Sequence, residues 1–164
     1  HDCRGEAWQW DGVWFEWLTL PRSKVASTTN AQSCVLRVVT QGQALLIPAD
    51  TGKEEEAALL QQYGQQLHST VLLLGHHGSS GSNSSAWLNA VAPELAIASS
   101  GFRNNYHHPT AAVQTRLRAH GIKLYRTDTQ GSMAVLLDGN LTVLPRAGPR
   151  FWWQRKPLDA TNRK

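Results

Sequence analysis

Two histidine pairs and one aspartate carry the chemistry this sequence offers: Asp50 in LLIPAD, His76-His77 in LLLGHHGSSGS and His107-His108 in NNYHHP. Each stands past a short apolar run, and ligands in open α/β sheets gather beyond the carboxyl ends of strands. One carboxylate and two or more imidazoles converging there would suit a borderline cation such as zinc or manganese. In an extended segment adjacent side chains point to opposite sides. One histidine of each pair is therefore expected to face the site, and the other to support it or pack. Gly75 and Gly78 are expected to let the backbone approach closely. The competing readings are a turn or helix-cap role for Asp50, solvated imidazoles at 76–77, and a cap role for His108. His68 and His120 fall at expected helix ends, where a cation favours the dipole, and are read as structural.

The elements that must hold these residues can be read from turns and periodicity. WQWDGVWFEWLTL predicts a hairpin on Asp11-Gly12, with Val13, Phe15 and Trp17 on one half-buried face. Its tryptophans Trp8, Trp10, Trp14 and Trp17 are expected to serve core and inter-sheet packing, with base stacking as the alternative. Residues 21–32 read as a polar loop. SCVLRVVT and ALLIP read as strands joined at Gln41-Gly42. Thr51-Gly52-Lys53-Glu54 has the form of a capping box opening a helix from about Lys53 to about Leu67, with Ala57, Leu60, Tyr63 and Gln66–Leu67 on or near its inner face. VLLL (71–74) fits a strand buried on both faces. A short helix over Ser84–Val91, a strand at ELAIASS, and a helix from Thr110 to His120 ending at Gly121 follow. KLYRT, SMAVLLD and LTVLP read as strands, the last two joined at Asp138-Gly139. Hairpins followed by strand–helix alternation describe a mixed α/β fold with helices covering a sheet.

A length of 164 residues suits one domain. At 41% hydrophobic and 17% charged residues the chain is globular in composition. No apolar run approaches the ~20 residues of a membrane-spanning helix, and no signal-peptide pattern is present. A chain opening on His1 is expected to be a piece of a longer protein. Of the net charge of +4, residues 145–164 hold six cations (Arg146, Arg150, Arg155, Lys156, Arg163, Lys164) against Asp159. The body, residues 1–144, is thus nearly neutral, and 145–164 forms a basic tail expected to be flexible. Such a tail can attract nucleic acid, and FWWQRK also suits a membrane surface. Arg103, Arg150, Arg155 and Lys156 are the candidate nucleic-acid contacts. Cys3 and Cys34 lack metal-site spacing; a disulfide and two free buried thiols are both open.

The order NAQSCVLRV, an apolar strand ending in Asp50, LLLGHHGSS, WLNAVAPELAIASSG, NNYHHP and GIKLYRTDTQGSMAV resembles the C-terminal metallo-β-lactamase-like domain of the ComEC family, inner-membrane DNA-uptake channel proteins of natural competence. CRGEAWQWDGVWFEWL resembles the stretch preceding this block, so the likeness runs from about Cys3 to about Leu144. The resemblance implies the second part of an αββα sandwich with a dinuclear manganese or zinc site. There a metal-bound hydroxide would cut DNA phosphodiesters of the strand that is not imported. It implies an inner-membrane parent with this domain on the periplasmic face, and DNA, the membrane channel and the rest of the same parent as partners. By motif position Asp50 resembles the bridging carboxylate and His76 or His77 a metal ligand. His108 resembles the family's HP histidine, close to the reaction. Asp128 matches a family position of unassigned role, and an outward location favours a Cys3–Cys34 disulfide. Two departures stand out. The family's H-x-H-x-D-H motif is nowhere in this chain, which on its own is therefore expected to be inactive. Pro48-Ala49-Asp50 and His107 replace a usual TGD and a usual glycine, so the backbone at both places is expected to differ. The alternatives are a non-catalytic scaffold binding DNA or protein through the tail and Trp152-Trp153, and a metallo-hydrolase for another phosphoester or a lactone.

Overall fold

The structure is a computed structural model that describes residues 5–19 and 33–145. Asp11 and Gly12 both take positive φ, 50° and 79°, as a two-residue hairpin turn requires. They join β1 (Ala7–Trp10) to β2 (Val13–Leu18). Gln41 and Gly42 repeat the device, at 46° and 79°, between β3 (Val35–Thr40) and β4 (Gln43–Ile47). These four strands form an antiparallel ladder. Strand–helix alternation follows. β5 (Val71–Leu73), β6 (Leu95–Ala98) and β7 (Lys123–Arg126) add in parallel to β4, so the seven-stranded sheet runs β1 to β7 in chain order. The crossovers carry α1 (Lys53–Tyr63), α2 (Ser85–Val91) and α3 (Ala111–Ala119). The fold class is the expected mixed α/β.

Strand alternation sorts the core into two layers. Leu18, Val35, Leu46, Leu72 and Ala96 face Leu59, Trp87, Leu88, Val91, Val113 and Leu117 of the three helices. Leu45, Val71, Leu73, Leu95, Ile97 and Tyr125 face the other way. There they meet β8 (Met133–Leu137) and β9 (Leu141–Pro145), an antiparallel hairpin that packs as a small second sheet. β5 is apolar throughout because both of its faces are covered. Below it, the short 3-10 turn Gly64–Leu67 buries Leu67 and continues α1 for a further turn.

Several local expectations are corrected. Thr51 is buried and is not the helix cap: Gly52 is, and the Glu55 carboxylate, one residue beyond Glu54, accepts its N–H at 2.8 Å. The inner face of α1 is Glu56 and Leu59, with Leu60 and Tyr63 half-buried and Ala57 exposed. The Asp138 turn spans three residues, since Leu137 pairs with Leu141. Thr127, the last residue of the expected strand KLYRT, instead opens a short helix, α4 (Thr127–Gln130). The tryptophans do not all pack inward. Trp8 stacks on Phe15 at 5.1 Å, but Trp10 and Trp14 are 73% and 44% exposed. β1 is an edge strand, and the second sheet reaches only the β4–β7 half. No helix among the described residues is long and apolar enough to cross a membrane. Cys34 is disulfide-bonded; Cys3, the 21–32 loop, the basic tail with Arg150, Arg155 and Lys156, and Trp152-Trp153 lie outside the described residues.

Candidate functional site

Because β4 to β7 are parallel, their carboxyl ends share one edge, and the segments that leave them carry Asp50, His76-His77, the 99–109 loop and Asp128. The backbone there is unusual. Nine described non-glycine residues have φ between 45° and 57°, and six of them lie in these segments: Ala49, His76, His77, Asn83, Arg103 and His107. A left-handed non-glycine residue costs on the order of 1 kcal/mol or more and persists only where its surroundings over-determine it. Such residues cluster at binding and catalytic sites.

His76 (φ 48°, ψ 45°) and His77 (φ 56°, ψ 16°) are consecutive left-handed residues in the turn Gly75–Gly78. The extended-chain expectation for this pair therefore fails. Both rings lie on one side, their centroids 6.4 Å apart, and His108 stands edge-on to His76 at 6.0 Å. His107, exposed, makes no ring contact with this group in the described structure. Its φ of 54°, like the 52° of Ala49, is the left-handed form that glycine favours.

The turn is fastened from three directions. The Asn83 side chain accepts the Gly75 N–H and donates to the Gly75 carbonyl, both at 2.9 Å. The His76 N–H donates to the Ala49 carbonyl at 2.8 Å, and the Ser82 hydroxyl to the Thr51 carbonyl at 2.7 Å. Asn83 is held in turn by Glu56, whose carboxylate accepts the N–H groups of Asn83 and of Ser84, the latter at 2.9 Å. Arg116 donates to the carbonyls of Ser82, at 3.1 Å, and Asn83. Gly78, at φ 88°, sits so close to Pro109 that an added Cβ would lie 2.5 Å from the Pro109 Cβ. The Thr110 N–H donates to the Gly78 carbonyl at 3.0 Å. The histidine turn and the His108 loop are thereby built against each other. Gly75 is under no such pressure; a Cβ there would find ordinary van der Waals space.

His77 is oriented by its Nδ1, 2.7 Å from the Ser99 carbonyl. A carbonyl only accepts, so Nδ1 carries the proton and neutral His77 presents a lone pair at Nε2. That Nε2 lies 3.7 Å from Asp50 Oδ1, too far for a hydrogen bond. Two ligands of a tetrahedral ion at bond lengths of about 2.1 Å stand about 3.4 Å apart, so the pair fits as two donors to one cation. Among the described residues no three of His, Cys, Asp and Glu are grouped closely enough to hold an ion. Burial, and then repulsion between its proton and any on His76 and His77, lowers the His108 pKa from the ordinary histidine value. The His108 ring stacks on Tyr106 at 5.6 Å. Asp128 is engaged elsewhere: Arg126 grips it with Nε at 3.0 Å and Nη2 at 2.7 Å, a bidentate pair at the end of β7. Arg103 is exposed, its guanidinium 5.2 Å from the Phe102 ring.

Sequence reasoning named Asp50, His76, His77 and His108, which the structure brings to one edge of the sheet, and did not name Glu56, Asn83 or Tyr106. Glu56 had a signal: it lies three residues before Leu59, on the stripe facing the sheet. Asn83 had none beyond its place in a polar run.

The structure thus defines a mixed α/β domain with a carboxylate–histidine cluster at the carboxyl edge of its parallel strands. No protein-family model matches the chain. It is similar to Competence protein ComA of Neisseria gonorrhoeae, 49% identical over 158 residues, 96% of this chain and 23% of that protein. It is also similar to ComE operon protein 3 of Bacillus subtilis, 33% identical over 79% of the chain and 16% of that protein. Recombination protein 2 of Haemophilus influenzae is 30% identical over 92% of the chain and 19% of that protein. The chain therefore spans less than a quarter of the length of these relatives.

Proposed function

We propose that this chain is the second part of a metallo-β-lactamase-like, metal-dependent nuclease domain of a DNA-uptake protein. In the full-length protein that domain faces outward from the inner membrane and hydrolyses the DNA strand that is not imported. The observation that carries the reading is the convergence of Asp50, His77, His76 and His108 on one edge through six strained backbone positions. The names of the relatives support the link to competence.

Asp50 and His77 are the residues that would hold manganese or zinc, with His76 beside them and the remaining ligands supplied by other parts of the full-length protein. The ion would supply charge neutralisation and an activated water. This chain's own residues do the rest. Ser99 fixes the His77 tautomer, and Asn83 fixes the turn. His108, whose pKa is lowered by burial, would accept a proton or donate a hydrogen bond toward a phosphate oxygen.

The test is a titration of the chain with manganese and with zinc, read by NMR at Asp50, His76, His77 and His108, beside a DNA-hydrolysis assay of the chain and of the full-length protein. Saturable shifts at Asp50 and His77, no hydrolysis by the chain, and metal-dependent hydrolysis by the full-length protein are expected. Hydrolysis by the chain itself would contradict the half-site reading. Salt-sensitive DNA binding, with neither metal shifts nor hydrolysis in the full-length protein, would favour the scaffold alternative.

A further inference from the structure

We propose that Tyr106 is a base-stacking platform, which seats an unpaired nucleobase of a single-stranded substrate next to the histidine cluster. The inference rests on the nucleic-acid reading of the site given above and adds to it the form of the substrate and the residue that selects it.

Tyr106 is 78% exposed, more than Trp10 at 73% and far more than Phe102 at 44%. A tyrosine so exposed ordinarily samples many positions, yet its loop is locked around Asn104. The Asn104 side chain accepts the His108 N–H at 2.7 Å, and donates to the His108 carbonyl at 2.9 Å and the Gly101 carbonyl at 3.2 Å. The Asn104 N–H also reaches Gly101 O at 3.2 Å, and the His107 N–H reaches Asn104 O at 3.1 Å. Arg103 and His107, on either side, hold the left-handed backbone that lets so short a loop close.

Within this loop the Tyr106 ring lies on His108, centroids 5.6 Å apart and planes 27° from parallel. The ring thus has an imidazole beside it and is otherwise largely open to solvent. His108 is edge-on to His76 at 6.0 Å, and His76 to His77 at 6.4 Å. Ring-to-ring neighbours thus lead from Tyr106 in solvent through His108 and His76 to His77 beside Asp50. An exposed flat π surface at the outer end of this series of rings fits a nucleobase. The base must be unpaired and unstacked, because inside a duplex both of its faces are already covered. Arg103, exposed on the same loop, adds a cation that can meet a nucleic-acid backbone.

The experiment measures binding without chemistry. The whole chain, with EDTA present, is titrated into fluorescently labelled oligothymidylate and into a strand of equal length made of abasic residues, and anisotropy is recorded. Tyr106→Ala is expected to weaken oligothymidylate binding about tenfold, as removal of one stacked base contact does. The abasic strand is expected to bind Tyr106→Ala as it binds the unsubstituted chain, and Tyr106→Phe to retain normal affinity for both. Equal weakening toward both strands would overturn the proposal, as would no weakening at all. So would wild-type affinity that does not distinguish the two strands, or a Tyr106→Phe defect equal to that of Tyr106→Ala. Because the assay contains no metal, base-selective binding can stand even if the full-length protein proves unable to hydrolyse DNA. Conversely, hydrolysis with no role for Tyr106 leaves the nuclease reading standing without this one.

Discussion

Asn83 controls the site without belonging to it. Its amide closes on both polar groups of the Gly75 peptide, and its own φ of 57° is a conformation asparagine tolerates better than alanine. Asn83→Ala would strand a buried N–H and a buried carbonyl and strain the replacement. A loss of about 2–4 kcal/mol in urea denaturation is expected. The His76 and His77 ring resonances should also broaden or move while signals from β1 and β2 stay fixed. A loss below about 1 kcal/mol would show that the turn is held by its other bonds. The sequence announced where the histidines fall, because strand ends can be read from apolar runs. It did not announce that both rings point the same way. That depends on consecutive left-handed residues, which histidine adopts only when neighbours such as Asn83 and Pro109 enforce it, and those contacts are distant along the chain.

At the scale of the element, α1 and α2 are coupled by a buried acid. Glu56 lies 1% exposed on the inner face of α1, and accepts the first N–H groups at the start of α2. Burial raises its pKa above the ordinary carboxylate range, against the lowering effects of Ser84, Asn83 and Arg116. The unfolded chain therefore gives up this proton at a lower pH than the folded chain does. Stability from Glu56 is fully present below its unfolded pKa and declines as pH rises through its folded pKa. Glu56→Gln removes that dependence. In denaturation series from acid to neutral pH, the variant should gain on the unsubstituted chain as pH rises; a constant gap or one of opposite sign would refute the assignment. The same region marks where element reading succeeds and fails. Asp11-Gly12 and Gln41-Gly42 name their turns unambiguously, because few residue pairs accept that backbone. The start of α1 is less legible, since Thr51 and Gly52 both precede the acidic run Glu54–Glu56. The sequence suggests a capping box from Thr51 to Glu54. Burial of Thr51, a tertiary fact, decides for Gly52 and Glu55.

The whole molecule is asymmetric in its cover. Three helices shield one face of the sheet, and the β8–β9 hairpin shields the β4–β7 half of the other. Over the β1–β3 half, Val13, Phe15, Trp17, Leu36 and Val38 are only half-buried, and Trp8 and Trp10 on edge strand β1 are 38% and 73% exposed. Contiguous apolar surface of this kind marks a contact face, and among the described residues β1 forms an edge of the sheet beside it. The chain spans 23% of its gonococcal relative, so most of that relative's polypeptide has no counterpart here. The chain on its own is therefore expected to associate as its concentration rises, in a manner insensitive to salt because the contact is apolar. Sedimentation velocity over a concentration series measures this directly. Replacing Trp8 and Trp10 together by Thr, which keeps strand propensity and removes apolar area, should restore a monomer with little loss of folding stability. Association that persists in the double variant would place the contact elsewhere. A wild-type chain that stays monomeric throughout would mean that this face is satisfied within the chain.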